Sequence, residues 1–244
     1  MVRAELRYCQ EMVWTDKQGK RLSDYTQPSV AVDVALLTLV PDSAGWRMAL
    51  VVHRDDTVGW TLPGVFLRID QDETLAQASL RALEAKAGVT GEDPQQLGVF
   101  DAVDRDPRGR VLSVAHVDLV PQDRLGAEVA LLELVGTPPR AKLPRGQKAL
   151  PYDHDLIVER AVEWARQQYD ALPDPHHLLP RKFTMYQLRR VHEAVIGQEL
   201  DKDTFRRKWE RPGLVERLEE KSMSSTVGRE AHLYLRSRRG RANR

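Results

Sequence analysis

One ten-residue stretch, ALPDPHHLLP at 171–180, divides the chain more sharply than any other segment. Each of its three prolines fixes φ and removes a backbone donor, so neither a helix nor an interior strand should run through it. The stretch predicts a linker between a unit spanning 1–170 and another spanning 181–244. Charge divides at the same point. From Arg181 onward the chain holds 17 Lys plus Arg against 9 Asp plus Glu, while the first 180 residues hold 20 against 27. The net charge of +1 therefore joins an acidic body to a basic end. A basic end of this kind points to a polyanionic partner.

Several function classes drop out. Hydrophobic residues at 41% and charged residues at 30% fit a folded, soluble chain. Cys9 is the single cysteine, which excludes an intramolecular disulfide and any multi-cysteine metal site. The N-terminal MVRAELRYCQEMVW lacks an apolar signal core, and the best apolar run, VAVDVALLTLV, is short and carries Asp33. The expectation is a cytoplasmic protein with no membrane span.

In the first unit, residues 30–40 and 48–53 read as strands, and TVGWTLPG at 57–64 reads as a loop. Residues 74–87 read as a helix opened by a Thr74–Gln77 capping box and stopped by Gly88. QLGVFDAV and RVLSVAHVDLV give two more strands around the turn DRDPRGR. An amphipathic helix follows over 154–169, with Asp153 as its expected N-cap. This order predicts an α/β domain. Beyond the linker, TMYQLRRVHEAVIG is a helix opened by a Thr184–Gln187 capping box, with Met185, Leu188, Val191, Val195 and Ile196 on its buried face. DKDTFRRKWERPG is a second helix, with Phe205 and Trp209 turned inward and Arg206 and Arg207 outward. LVERLEE and EAHLYLR read as a hairpin. Two helices and a hairpin in a basic module fit a winged helix.

The stretch LPGVFL…DETLAQASLRALEAKAGV resembles the Nudix box, matching it at Glu73, Arg81, Leu83, Gly88 and Val89. Val65 stands where the box has Gly, and two extra residues precede Glu73. Ala82 replaces the Glu after Arg81, and Ala85 with Lys86 replaces the metal-binding Glu pair. With QPSVAVDVALL, DRDPRGRVLSVAH, YDHDLIVERA and above all FTMYQLRRVHEAVIGQELDKDTFRRK, the chain resembles the Nudix-related transcriptional regulators of the NrtR type from residue 25 to about 236. That resemblance implies a Nudix-like α/β/α sandwich with a mixed sheet, followed by a C-terminal winged-helix domain. It implies a homodimer that reads a double-stranded inverted-repeat operator under control of ADP-ribose or another NAD-derived nucleotide. Two alternatives stay open: a Nudix pyrophosphohydrolase with an appended nucleic-acid-binding module, and a sugar-responsive regulator on the same scaffold.

The candidate residues follow from this chemistry. A hard divalent cation needs oxygen ligands, and Lys86 offers a positive charge. At about 5 Å and an effective dielectric near 20, the repulsion is roughly 6–7 kcal/mol. Glu84 is rotated about 100° from Ala85 and does not replace it. No metal or cofactor is therefore expected, and no hydrolase activity. Arg54, Arg105 and Arg108 (with Arg110 beside them) are candidates for charge-assisted bonds to a pyrophosphate, though DPRG is also a good turn sequence. Trp60 either stacks on a base or packs in the core, with packing favoured. Glu73 and Arg81 join the effector-site candidates, although their family role is also to brace loop against helix. His176 and His177 read as solvated linker residues. For DNA, the candidates are Lys202, Arg206, Arg207 and Lys208 on the second helix, with Thr226 and Arg229 in the wing loop.

Overall fold

The structure is a computed structural model that describes residues 15–237 apart from 44, 72, 127–128 and 224–229. The centre of the molecule is β1 (Ser29–Asp42), a run buried on both faces as its nearly continuous apolar sequence requires. It pairs antiparallel with β2 (Gly45–Asp55) and parallel with β6 (Val111–Val120), so the sheet is mixed. The sheet extends through β5 (Gln95–Phe100) on one side, and through β7 (Ala130–Val135) and β8 (Arg140–Ala141) on the other, in the order β5-β6-β1-β2-β7-β8. The segment read as a loop contains two short strands, β3 (Gly59–Thr61) on β2 and β4 (Gly64–Phe66) on β1. These strands dock the loop against the sheet.

Side chains alternate along β1 and divide the core into two layers. Val34 and Leu36 face α1 (Leu75–Ala87), where Ala82, Leu83 and Val89 meet them. Leu37 and Leu39 face the opposite layer, where α2 (His154–Ala171) supplies Ile157, Val158, Ala161 and Val162. The result is the expected α/β/α sandwich. The Thr74–Gln77 capping box forms as read, and Gly88 closes α1 at φ 63°, a left-handed conformation that favours glycine. At the start of α2, the Asp153 side chain makes no capping bond. It is drawn to Arg105 instead.

The C-terminal unit comprises β9 (Lys182–Thr184), α3 (Met185–Ile196), α4 (Lys202–Trp209), β10 (Val215–Met223) and β11 (Glu230–Arg236). Its three strands form a sheet in the order β10-β11-β9. Phe183, Leu188, Phe205, Trp209, Val215 and Tyr234 make its core. Yet α3 serves both units, because Val191 and Val195 belong to the large core of the first sheet. The proline-rich segment is likewise packed and not a free tether. Asp174 is fully buried and accepts bonds from Tyr169 Oη at 3.0 Å, the backbone N–H groups of Leu178 and Leu179, and Arg236 Nη1 at 2.5 Å. His176 is also buried, between Trp164 and Tyr169, whereas its neighbour His177 is exposed. Proline content describes the local chain, and what packs against it is decided by distant residues. No helix among the described residues is long and apolar enough to cross a membrane.

Candidate functional site

The Nudix-like cleft lies where β1, β2 and β4 meet the last turn of α1 and the loop before α2. Asp33, in the middle of the apolar strand, is its buried anchor. Ser113 Oγ donates to Asp33 Oδ2 at 2.6 Å, Arg105 Nη2 lies 3.4 Å from that oxygen, and His154 Nε2 lies 3.5 Å from Oδ1. Burial pushes the Asp33 carboxyl up, but these partners outweigh it and hold the group below the ordinary carboxylate range. Gly64 of the LPG turn sits so close that a Cβ would fall 2.2 Å from Asp33 Oδ1. Glycine is needed there by close approach.

Arg105 is drawn into this network. It is buried and grips Asp153 through Nε and Nη2, the shortest contact being 2.7 Å. It acts as a girder between the DPRG loop and α2. Arg108 stays at the rim, paired with Asp106 at 2.7 Å. Its guanidinium lies 5.3 Å from the Phe66 ring centroid and 5.4 Å from that of Tyr152. Tyr152 adopts φ 58°, a strained value for a bulky residue, and thereby lines the cleft. The cleft measures about 140 Å³ with Arg108 in place. Whole-ligand pockets run to roughly 300–1,000 Å³. Both rings lie within cation–π range of the Arg108 guanidinium.

The other candidates are placed differently. Arg54 is exposed and does not line the cleft, because its neighbours His53 and Asp55 point there and successive side chains alternate. Trp60 packs against the main core, and its backbone N–H donates to Gln147 at 2.8 Å. Glu73 and Arg81 form a bidentate pair at 2.6 and 2.8 Å, with Arg81 also donating to the Phe66 carbonyl. The hydrogen bonds from Arg81 hold Glu73 down at about 2. They brace the loop against α1. Arg110 is exposed and donates to the Asp101 carbonyl at 2.7 Å. Sequence reading gave no role to Asp33, Phe66, Tyr152 or His154. Only Asp33 carried a local signal, a charge inside the strongest strand.

The second candidate site is α4. Asp201 caps it by accepting from Thr204 N–H at 2.9 Å, and Phe205 with Trp209 seats it in the core. Arg207 points away from that core and, among the described residues, is bonded to Asp203 and Thr204 of its own helix, each at 3.3 Å. Lys202 is exposed at the first turn. Arg206 is on the flank, paired with Glu210 at 2.9 Å, and Glu210 also accepts from Tyr234 Oη. Lys208 turns back across Trp209 to Asp170 at the end of α2, at 2.5 Å. Two of the four basic residues are therefore committed to partners within the protein. Thr226 and Arg229 lie outside the described residues.

The NrtR DNA-binding winged helix domain matches residues 175–235. The ADPR responsive transcriptional repressor NtrR of Acinetobacter baylyi is 28% identical over 220 residues, covering 87% of this chain and 83% of that protein. An ADP-ribose pyrophosphatase of Methanocaldococcus jannaschii is 25% identical over 160 residues, covering 65% of this chain and 86% of that one. Among solved structures, Shewanella oneidensis NrtR complexed with a 27mer DNA aligns at TM-score 0.63 and 26% identity, covering 85% of this chain and 93% of the other. A MutT/nudix family protein from Enterococcus faecalis shares the fold at TM-score 0.71 and 19% identity, covering 97% and 94%. The Nudix-like sheet and the winged helix thus align in the same order with a regulator over most of both lengths, and residues 175–235 match the NrtR DNA-binding winged helix domain.

Proposed function

We propose that this protein is a transcriptional repressor that binds operator DNA through α4 and senses ADP-ribose in the Nudix-like cleft. The observation that carries the reading is the alignment of both modules, over 87% of the chain, with an ADP-ribose-responsive repressor. The geometry supports it at each end. On a capped, core-seated helix, Arg207 stands on the side opposite Phe205 and Trp209 and Lys202 is exposed at the first turn, as a groove-entering element requires. The cleft offers two aromatic rings, Phe66 and Tyr152, beside the Arg108 cation, groups that suit a base joined to a diphosphate. The protein acts as a homodimer on an inverted repeat, the two-fold symmetry of one mirroring the other.

A pyrophosphatase reading has the archaeal relative in its favour. Against it, the helix that should carry the metal-binding carboxylates has Ala82, Ala85 and Lys86. We therefore read the cleft as a sensor without hydrolase activity.

Selection of binding sites from random DNA, followed by titrations of variants at several salt concentrations, tests the reading. An inverted repeat should be enriched, with half-sites about one helical turn or a multiple apart. Arg207→Ala should lose roughly 1–3 kcal/mol on the selected site and relax its sequence preference. Lys202→Ala should weaken all sequences alike and lower the salt slope by about one. If no inverted repeat is enriched and both variants bind as wild type, α4 is not an operator reader.

A further inference from the structure

The residues of the cleft do not fit the divalent cation that the Nudix fold implies. Ala85 and Lys86 occupy the positions of the Glu pair, and no cluster of three or more His, Cys, Asp or Glu side chains among the described residues is placed to hold a metal ion. The carboxylates that do face the cleft are already engaged. Asp33 accepts from Ser113 and meets Arg105 and His154, Asp106 is gripped by Arg108, and Asp55 accepts from the N–H groups of Thr57 and Val58.

The positive groups show the opposite imbalance. Arg105 is neutralised by Asp153 and Asp33, and Arg108 by Asp106. Lys86 lines the same cleft from the last turn of α1, is exposed, and has no hydrogen bond or ion pair among the described residues. Its charge is felt across the cleft: burial, and then Lys86, hold the His53 imidazole below its ordinary value. Asp55 is likewise held low, chiefly by bonds from Thr57 and Val58 and in smaller part by Lys86. A neutral His53 offers a donor without adding charge.

We propose that Lys86 replaces the divalent cation of the Nudix site, so that the cleft binds the diphosphate of its nucleotide effector without metal. The proposal rests on the effector reading above and adds to it the group that holds the phosphates. An ammonium is a compact charge with three rotatable donors, which suits non-bridging phosphate oxygens. It sits on a capped helix braced by Glu73 and Arg81, so its backbone is fixed before the ligand arrives. Binding would then be indifferent to the supply of magnesium.

The test is calorimetric titration of the full chain with ADP-ribose and, separately, with inorganic pyrophosphate. Each is measured in EDTA and in Mg²⁺. Wild type should bind ADP-ribose equally well in both buffers. Lys86→Ala should weaken binding at least tenfold, Lys86→Arg should retain most of it, and Lys86→Glu should abolish binding in EDTA. Because Lys86 is exposed, these variants should fold, and unchanged melting temperatures without ligand would show it. A wild type that binds only with Mg²⁺, or an Ala variant that binds as wild type, overturns the proposal and leaves the effector reading intact. Pyrophosphate bound through Lys86 while ADP-ribose is not bound at all would overturn the effector assignment and leave Lys86 in its role. Loss of both ligands for wild type would overturn both.

Discussion

One imidazole, that of His192, stands where the two modules meet. Its Nε2–H donates to the Pro173 carbonyl at 2.6 Å, and Tyr169, Phe205 and Trp209 surround it at ring distances of 5.0–5.1 Å. Burial holds it down at about 4, against an ordinary 6.5, so it is neutral in the folded protein. The unfolded chain binds a proton below about pH 6.5 that the folded chain refuses until about pH 4. Stability should therefore be complete above pH 6.5 and fall by about 3 kcal/mol as pH drops to 4. Chemical denaturation across that range checks this, with His192→Phe as the control that should flatten the profile. An identical profile in the variant would refute it. The sequence marks Leu188, Val191 and Val195 as one buried face, and they are buried. It does not mark His192, because a polar residue on that face reveals neither its carbonyl partner nor the three rings around it. The same blindness explains Tyr152, whose backbone conformation and place at the cleft depend on tertiary contacts.

At the scale of the element, α4 is held in two directions. Its apolar side is fixed in the winged-helix core, while Lys208 bridges to Asp170 on α2. On the proposed reading, that bridge would withhold one cation from DNA, and it links α4 to α2. Asp170 is 81% exposed at its side chain, so the bridge is worth no more than about 1 kcal/mol. Asp170→Asn should free Lys208 and raise operator affinity by roughly twofold to fivefold. Fluorescence anisotropy with labelled operator reads this, and unchanged or weaker binding would show that Lys208 contributes nothing to DNA contact. What was legible at this scale was local. The capping boxes at Thr74 and Thr184 and the glycine stops at Gly88 and Gly197 form as read, because each bond spans a few residues. The partner of Lys208 lies 38 residues away, beyond any helical periodicity. The short strands β3, β4, β8 and β9 went unread for a related reason: three residues or fewer carry no period, and only the sheet beside them makes them strands.

At the scale of the molecule, the two units share a core. Val191 and Val195 of α3 pack with Leu39 and Met48 of the effector sheet, and Asp174 ties α2 to β11 through Tyr169 and Arg236. A change in the cleft therefore has a continuous packed route to α4, through α2 and α3. The division into a sheet domain and a basic winged helix was legible from the proline stretch and the charge asymmetry. The stiffness of the joint was not, since composition does not say what covers a linker. On the proposed reading, occupancy of the cleft and occupancy of DNA are energetically coupled. Linkage makes that coupling reciprocal, whichever direction it takes. The most direct measurement is operator affinity by anisotropy with and without saturating ADP-ribose, paired with ADP-ribose affinity by calorimetry with and without operator. Both affinities should change by the same factor, about fivefold or more. Tight binding of both ligands with neither affected by the other would contradict it.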